Sequence, residues 1–561
     1  MTFVILQPCC NDASCADVCP VDCIHPTPDE PGYMQAEMLH IDPGSCIDCG
    51  ACVDECPVDA IRADHELTAE QSRYLHLNAT YFEERHDPAD NHRRRAEGRR
   101  ETNAPDVRIA IVGTGPAAFY AASELAGVRG IEVEMYDRLV TPYGLVRAGV
   151  APDHPETKII AELFRAAAGR NSVRVHLGVE IGTDLSHEDL LAHHDAVIYA
   201  TGASDDRRLG IDGEDLPGSH AANEFVAWYN GHPDYAAKTF DLSCDRAVVI
   251  GNGNVALDLA RILTASPDDL ARTDIADHAL IALRASAVRE VVVVGRRGPA
   301  QTKFTTPELA ALVDAPHIDL VVQGISKSRS SLEWDAVDPV QAAKMDLIYE
   351  IASRSPTDTG GAHRRIVLRF CASPISIEGD RSVSAIELAD NSLSCDSDGH
   401  VRADPSGSTV TVPTGLVLRS VGYRGHRIPG VPFDDERGVV PNIDGRVIDT
   451  SGCVVPGVYV VGWIKRGPTG VIGTNKKCAI DTVENLLSDI RNGRLSIGSH
   501  GSDDVDSLVR SRVPDALSFP DWTSIDRAET DAGSSVGRPR VKMVSSQQMR
   551  SPVDYKSDPA D

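Results

Sequence analysis

A run of four cysteines, spaced C-x2-C-x2-C-x3-C and followed by proline, constrains the fold of this chain more than any other feature. The run begins at Cys46 and ends in CPVDAI. Shifted back by 37 residues it reappears from Cys9, and there its end reads CPVDCI. The N-terminal part is therefore an internal duplication, and we expect its halves to pack about a pseudo-two-fold axis. One cysteine position lacks its match, because Cys49 corresponds to Asp12.

This spacing is typical of bacterial iron–sulfur proteins, in which the fourth cysteine of each run ligates the cluster of the other run. Applied to both copies, the rule yields one complete and one incomplete set of thiolate ligands. The complete set, which predicts a [4Fe–4S] cluster, is Cys19, Cys46, Cys49 and Cys52; the incomplete set is Cys9, Cys15 and Cys56.

Asp12 falls at the fourth corner of the incomplete set. A carboxylate oxygen is a harder ligand than a thiolate and holds cluster iron weakly. We therefore expect either a [3Fe–4S] cluster or a [4Fe–4S] cluster with one labile, Asp12-bound iron. Cys10 is an alternative to Cys9 as a ligand, although the register of the repeat favours Cys9. Cys23 is expected to be a free thiol near a cluster.

Residues 1–62 resemble the seven-iron bacterial ferredoxins, which implies an α+β ferredoxin-like domain with two clusters. We place this domain at residues 1–65. Residues 66–105 are polar and arginine-rich, and that composition predicts a flexible linker.

Overall composition excludes several other classes of protein. The chain has 561 residues, enough for three or four domains, and a formal net charge of −28, which argues against binding to nucleic acid. It contains no apolar run approaching the ~18 residues of a membrane span. The first residues lack the pattern of a signal peptide, so we expect a cytoplasmic protein, in which clustered cysteines bind metal rather than form disulfides.

The sequence from Val107 alternates strands and helices, as in α/β proteins. VRIAIVGTGPAAFYAASEL has the G-x-G-x-x-A pattern of a dinucleotide-binding loop between a strand and a helix, with Gly113, Gly115 and Ala118. Gly115 lets a pyrophosphate approach the backbone, and Ala118 allows close helix packing. Asp137 ends the next strand, where an acid can bind ribose hydroxyls.

A second loop of this kind lies in AVVIGNGNVALDLARIL, where Gly251 and Gly253 fit the turn and the close approach to the cofactor. The candidate cofactor-binding residues that follow are Asn254, Val255 and Ala256. The following strand, REVVVVGRR, ends in Arg296 and Arg297 rather than in an acid. Guanidinium groups at this position suit a 2′-phosphate, so the pair favours NADPH over NADH.

The chain from 107 to about 490 resembles the adrenodoxin-reductase family of ferredoxin–NADP reductases. The motifs that carry the resemblance are PYGLVR (142–147), EFVAWYNGHPD, GNGNVALDLARIL and GWIKRGPTGVIGTNK. It implies two Rossmann-like domains, the first for FAD and the second for NADP. The residues that it places at the flavin are Leu145, Val179, Trp463, Gly470, Val471 and Ile472. It also implies that His154 and Glu308 lie at the nicotinamide end of the site, where they position groups or relay protons.

These patterns divide the chain into an FAD-binding domain in two parts, 106–215 and 413–492, with an NADP-binding domain, 216–412, between them. Residues 493–561 are rich in serine, aspartate and arginine, and we expect a disordered tail.

The sequence thus predicts a ferredoxin–NADP reductase, in which FAD passes electrons from NADPH to the clusters of the same chain. The acceptor beyond them is open: a free ferredoxin, a cytochrome P450 or a reductive biosynthetic enzyme. Two alternatives remain, an electron-input subunit resembling the small subunit of glutamate synthase and a docking module with structural clusters. A thioredoxin-reductase-like enzyme is rejected, because every cysteine after Cys56 stands alone in the sequence.

Overall fold

The duplicated cysteine unit folds as two short antiparallel strand pairs, each beside a single-turn helix. In the computed structural model, which describes residues 2–83, 106–315, 317–325, 338–354, 364–396, 400–498 and 502–557, the two outer strands pair, and so do the two inner strands. The elements are β1 (Phe3–Ile5), α1 (Ser14–Asp17), β2 (Ile24–His25), β3 (His40–Ile41), α2 (Ala51–Asp54) and β4 (Ile61–Ala63). The α+β expectation for this unit is confirmed: β1 pairs with β4 and β2 with β3.

The expected linker is wrong for its first part, because α3 (Arg73–Glu83) is a helix packed on the cysteine unit. Tyr74 and Tyr81 are buried in one face of the helix. Between them the buried Asn78 accepts hydrogen bonds from the backbone N–H groups of Ile5, at 3.2 Å, and Ile41, at 2.9 Å. The spacing of these three residues is that of one helix face, so this stretch belongs to the domain. The remainder of the expected linker, 84–105, lies outside the described residues.

The first Rossmann-like domain is built on a sheet of eight strands. Its strands are β5 (Val107–Val112), β6 (Ile131–Asp137), β7 (Val173–Leu177), β8 (Ala196–Tyr199), β20 (Asn442–Ile443), β21 (Arg446–Ile448), β22 (Val454–Val460) and β23 (Leu517–Ser518). The spatial order is β20–β21–β22–β8–β5–β6–β7–β23, with the five strands from β22 to β7 parallel. Its helices are α4 (Pro116–Leu125), α5 (Leu145–Ala148), α6 (Pro155–Lys158), α7 (Ala161–Ala168), α8 (His187–His193), α15 (Trp463–Arg466) and α16 (Thr474–Arg491).

The second Rossmann-like domain is inserted between these two parts and contains a parallel sheet of six strands. Its strands are β10 (Ser219–Ala221), β11 (Arg246–Ile250), β12 (Glu290–Val294), β13 (Ile318–Gln323), β14 (Arg364–Arg369) and β18 (Leu416–Arg419), in the order β10–β18–β11–β12–β14–β13. Its helices are α9 (Ala222–Tyr229), α10 (Asn254–Thr264), α11 (Pro267–Leu270), α12 (Asp277–Arg284), α13 (Thr306–Val313) and α14 (Pro339–Ser353).

Two smaller sheets complete this domain and its connections. The antiparallel strands β15 (Ala372–Glu378), β16 (Ala385–Cys395) and β17 (Val401–Pro413) form one, and β9 (Asp205–Asp206) pairs with β19 (Tyr423–Arg424) where the chain passes between the Rossmann-like domains. The expected boundary at 412/413 therefore lies too early, because the buried strand β18 pairs with β11 and belongs to the inserted domain. Short 3-10 turns occur at Tyr33–Gln35, Asp64–Glu66 and Pro299–Gln301.

The expectation of a disordered tail is wrong. The segment forms α17 (Ser502–Arg512), α18 (Phe519–Ser535) and α19 (Ser546–Ser557), and β23 adds an antiparallel edge to β7. The side chain of Trp522 on α18 is 1% exposed in the core of the first Rossmann-like domain. A capping box of Ser518 and Asp521 starts α18, which is the local signal that the composition concealed. Within the described part of the chain, no helix combines the length and apolarity required to cross a bilayer.

Candidate redox site

The seven candidate cysteine ligands lie in two groups. One group, Cys19, Cys46, Cys49 and Cys52, lines a single surface cavity together with Cys23. In the other, Cys9, Cys15 and Cys56 are near enough that charge on Cys56 contributes to raising the pKa values of the other two thiols, after burial as the main cause. The structure therefore brings together the same sets of cysteines that the repeat predicts.

Asp12 lies near enough to the three-cysteine group that its charge contributes to raising the pKa values of Cys9, Cys15 and Cys56, but its carboxylate also contacts groups outside that set. Its carboxylate accepts hydrogen bonds from the hydroxyl group of Tyr120, at 2.8 Å, and from that of Ser14, and Lys476 Nζ lies 3.1 Å from Oδ1. Burial by itself would raise the pKa of Asp12, but Lys476 and the hydroxyl donors hold it below its ordinary value. Tyr120 lies on α4 and Lys476 on α16, so this carboxylate joins the cysteine unit to the first Rossmann-like domain.

The first glycine-rich loop has the geometry of a nucleotide cradle. Gly113 has φ +109°, and a Cβ there would lie 2.6 Å from the carbonyl oxygen of Ala200, whereas a Cβ on Gly115 would meet nothing within 4 Å. Ala118 is buried within α4. The carboxylate of Asp137 accepts hydrogen bonds from the backbone N–H of Thr114 and, at 2.6 Å, from its hydroxyl group.

The PYGLVR segment folds back over this loop. The N–H of Tyr143 donates to the Thr114 carbonyl at 2.9 Å, and a Cβ on Gly144 would lie 3.0 Å from Gly115 Cα. Tyr143 adopts φ +80°, a conformation that costs energy for a non-glycine residue, and its ring packs against Trp522 of α18. Leu145 is 47% exposed at the start of α5.

Other candidate flavin residues surround the same loops. Val179 is buried, and its N–H donates to the Asp137 carbonyl at 2.8 Å. Trp463 is half-buried and stacks on Tyr423, with 6.2 Å between ring centroids. Gly470 has φ +80°, and it leads through Val471 and Ile472 to the start of α16, which packs on α4.

The second glycine-rich loop repeats this geometry in the inserted domain. A Cβ on Gly251 would lie 2.0 Å from the Ser420 carbonyl oxygen, while at Gly253 the nearest atom would be 4.0 Å away. Asn254 Oδ1 accepts a hydrogen bond of 2.7 Å from the N–H of Thr305. Val255 is half-buried and Ala256 fully buried in the first turn of α10.

Arg296 and Arg297 follow the end of β12, where the sequence predicts a phosphate-binding pair. Arg296 is exposed and Arg297 half-buried, and neither makes an ion pair with an acidic side chain among the residues that the structure describes. Burial and the neighbouring charge of Arg296 lower the pKa of Arg297. Two adjacent cations of this kind favour a bound anion.

His154 and Glu308 lie together, although they come from different domains. His154 precedes α6, Glu308 lies in the first turn of α13, and 3.5 Å separates His154 Nε2 from Glu308 Oε2. Arg261 supplies the positive charge between them, with Nη1 3.2 Å from Glu308 and Nη2 2.6 Å from Asp258. Burial and Arg261 both lower the pKa of His154, but Asp258 and Glu308 outweigh them, so the net shift is upward.

Sequence reasoning missed the residues through which the cysteine unit meets these domains. Gln7 Nε2 lies 3.1 Å from His154 Nδ1 and donates to Glu308 at 2.9 Å. The carboxylate of Glu37 accepts hydrogen bonds from the N–H, at 2.6 Å, and hydroxyl of Thr306, and it pairs with Lys344. Such contacts carry no signal in the sequence, because both partners are ordinary polar residues far apart in the chain.

The residues fit the expected groups. Free thiols converge in the two groups expected to hold iron–sulfur clusters. Gly115 and Gly253 leave open space at the N-termini of α4 and α10, which suits the pyrophosphate of a dinucleotide. Two nucleotide domains joined to a cysteine unit define a flavin- and nicotinamide-dependent oxidoreductase with a ferredoxin-type module.

Comparison with known proteins identifies the family. The pyridine nucleotide-disulphide oxidoreductase family matches residues 107–322, and the 4Fe-4S binding domain matches residues 39–62. The probable ferredoxin/ferredoxin–NADP reductase of Mycobacterium tuberculosis is 47% identical over 97% of this chain and 93% of that protein. The NADPH-ferredoxin reductase FprA of the same organism is 47% identical over 78% of this chain and 97% of its own length.

A solved structure agrees with these relatives. Mycobacterium tuberculosis FprA in complex with NADPH superposes with a TM-score of 0.74 at 46% identity, covering 80% of this chain and all of that one. The chain belongs to the family of ferredoxin–NADP reductases that carry a ferredoxin-type iron–sulfur domain at the N-terminus.

Proposed function

We propose that this protein transfers electrons from NADPH through FAD to two iron–sulfur clusters in its own N-terminal domain, and from there to an external acceptor. The observation that carries the proposal is the docking of the three-cysteine group. Cys9 and Cys56 pack against the same apolar cluster as Ile472, a residue expected at the flavin. FAD, when bound, would accept a hydride and release electrons singly, which nicotinamide does not readily do.

The two cysteine groups suggest a fixed order of electron flow. Cys9 and Cys56 of the three-cysteine group pack against the apolar cluster that includes residues of α4 and α16, whereas Cys49 of the four-cysteine group is exposed. The exposed side chains of Ile47 and Val21 line the same cavity as the four-cysteine group. We propose that electrons enter at the three-cysteine cluster and leave from the four-cysteine cluster to the acceptor.

The engagement of Asp12 supports a [3Fe–4S] cluster at the inner site. Its carboxylate oxygens accept hydrogen bonds from the hydroxyl groups of Tyr120 and Ser14 and pair with Lys476. These interactions compete with coordination of an iron atom by the same oxygens. Of the two forms that the sequence allows, the three-iron form needs no ligand from this residue.

The chain's own residues position the reactants. In this proposal the loops at Gly115 and Gly253 bind the two pyrophosphates, and the Arg296–Arg297 pair selects the 2′-phosphate of NADPH. Trp463, with the segment 470–472, closes over the flavin. His154 and Glu308 orient the nicotinamide end, since hydride transfer requires alignment rather than an acid or base from the protein.

Anaerobic titration of the purified protein with NADPH, followed by visible absorbance and EPR, tests the proposal. We expect bleaching of flavin and clusters together and iron near seven atoms per chain. Reduced flavin beside clusters that stay oxidised would instead favour the docking-module alternative. Co-purification of a large glutamine-dependent subunit would favour the subunit alternative.

A further inference from the structure

Gln7 joins three domains through one side chain. It follows β1 in the ferredoxin-type domain, two positions before Cys9. Its amide nitrogen is 2.9 Å from the Glu308 carboxylate in the second Rossmann-like domain. The same nitrogen is 3.1 Å from Nδ1 of His154 in the first Rossmann-like domain. An amide nitrogen carries two protons, so a single Gln7 can donate to both acceptors at once.

The surroundings favour a neutral donor at this position. Besides Glu308, the carboxylates of Asp153 and Asp258 face the same pocket, and Arg261 pairs with all three. A carboxylate in place of the amide would add a fourth negative charge beside one guanidinium. Since His154 is 12% and Glu308 14% exposed, water has little access to replace the amide protons.

Neighbouring contacts hold Gln7 in this place. The N–H of Leu6 donates a 2.8 Å hydrogen bond to the carbonyl oxygen of Ala60. The N–H of Cys9 donates a 3.1 Å hydrogen bond to the carbonyl oxygen of Leu6 and so closes a turn around Gln7. Glu37 of the same domain binds the N–H of Thr306, two residues before Glu308. The ferredoxin-type domain therefore contacts the first turn of α13 through two side chains, Gln7 and Glu37.

We infer that Gln7 is a positioning residue for the NADPH half-reaction, through which the docked ferredoxin-type domain orders His154 and Glu308 around the nicotinamide. This inference rests on the proposed function. Its consequence is that the domain that receives the electrons also sets the rate at which NADPH reduces the flavin.

Anaerobic stopped-flow mixing of the holoenzyme with NADPH tests the inference, because flavin reduction and cluster bleaching form separate phases. We expect Gln7→Ala to slow the flavin phase about tenfold, the effect of losing one hydrogen bond to a charged partner. Gln7→Glu, which has the same shape, should slow it at least as much. Gln35→Ala, an exposed glutamine of the same domain, is the matched control and should not change it.

The pH profile of the flavin phase separates positioning from simple loss of structure. Removal of the donor to His154 Nδ1 favours the protonated ring, so the inflection should move to higher pH in Gln7→Ala. It should move further in Gln7→Glu because of the added negative charge. Flavin-phase rates within twofold of wild type and an unmoved inflection in both variants would overturn the inference.

The same experiment distinguishes failure of the inference from failure of the proposed function. If wild-type flavin and clusters are both reduced while the Gln7 variants behave normally, only the inference fails. If NADPH does not reduce wild-type flavin or clusters, the proposed function fails, and the inference with it.

Discussion

The backbone N–H of Gly473 donates a 2.7 Å hydrogen bond to the carbonyl oxygen of Cys10. This contact joins the start of α16 to the loop between two candidate cluster ligands. A Cβ on Gly473 would lie 2.2 Å from the carbonyl carbon of Asn11 and 2.3 Å from the nitrogen of Asp12. The domains thus touch backbone to backbone, and a side chain at this position would separate them.

Gly473→Ala should slow electron transfer from flavin to clusters. The added methyl group meets backbone atoms that cannot move aside, so the ferredoxin-type domain must shift outward. Because the rate of electron transfer falls with the distance between donor and acceptor, an outward shift of this domain should slow cluster reduction several-fold. Cluster bleaching in stopped-flow should slow, whereas Gly169→Ala, where a Cβ meets only ordinary contacts, should match wild type. An unchanged cluster phase in Gly473→Ala would show that this contact does not set the rate.

Asp12→Asn should leave the inner cluster intact and weaken docking. The amide preserves shape but removes the charge that pairs with Lys476. We expect the EPR signal of the oxidised three-iron centre to persist while cluster reduction slows. Asp17→Asn, an exposed neighbour on α1, serves as control. A changed EPR signal at constant iron content would identify the Asp12 carboxylate as an iron ligand.

Arg296→Ala and Arg297→Ala should lower the preference for NADPH. A charge-assisted hydrogen bond to phosphate contributes about 1.5–3 kcal/mol, so kcat/KM for NADPH should fall roughly 10- to 100-fold per arginine. The value for NADH should stay near that of wild type, because NADH lacks the 2′-phosphate. Steady-state reduction of ferricyanide by each coenzyme measures the ratio. Equal losses with both coenzymes would argue for a structural role of the arginines.

Glu529→Ala should destabilise the protein by about 3–5 kcal/mol, the typical cost of removing one partner of a buried ion pair. Glu529 is fully buried on α18 and binds Arg147 of the PYGLVR segment through two hydrogen bonds, of 2.9 and 2.6 Å. Chemical denaturation followed by tryptophan fluorescence measures the loss, with the exposed Asp531→Ala as control. Because Arg147 follows the flavin loop, the variant should also release FAD at lower denaturant concentrations. A midpoint equal to that of Asp531→Ala would contradict this role.

Local patterns predicted the elements whose chemistry depends on neighbours in the chain. The cysteine spacing predicted both groups of cysteines. It also predicted that Cys19 and Cys56 each join the group formed by the other run, because the two runs are related by the symmetry of the repeat. The positions of the two glycine-rich loops and of the arginine pair could be predicted from the sequence, because the strand, the turn and the helix follow one another directly in the chain.

Contacts between domains could not be predicted in this way. Nothing near Gln7 or Glu37 marks either residue, and each partner lies about 150 or more positions away. The C-terminal segment was misjudged because its composition is polar, while its burial depends on a few well-placed residues such as Trp522.

The order of the strands in the first Rossmann-like domain has a consequence for biosynthesis. Its sheet takes strands from 107–199, 442–460 and 517–518, so the sheet cannot be completed until residue 518 has left the ribosome. The cysteine unit, by contrast, is contained in the first 83 residues and can fold first, as N-terminal domains generally do during synthesis. Iron–sulfur insertion can therefore begin on the nascent chain before the sheet of the first Rossmann-like domain is complete.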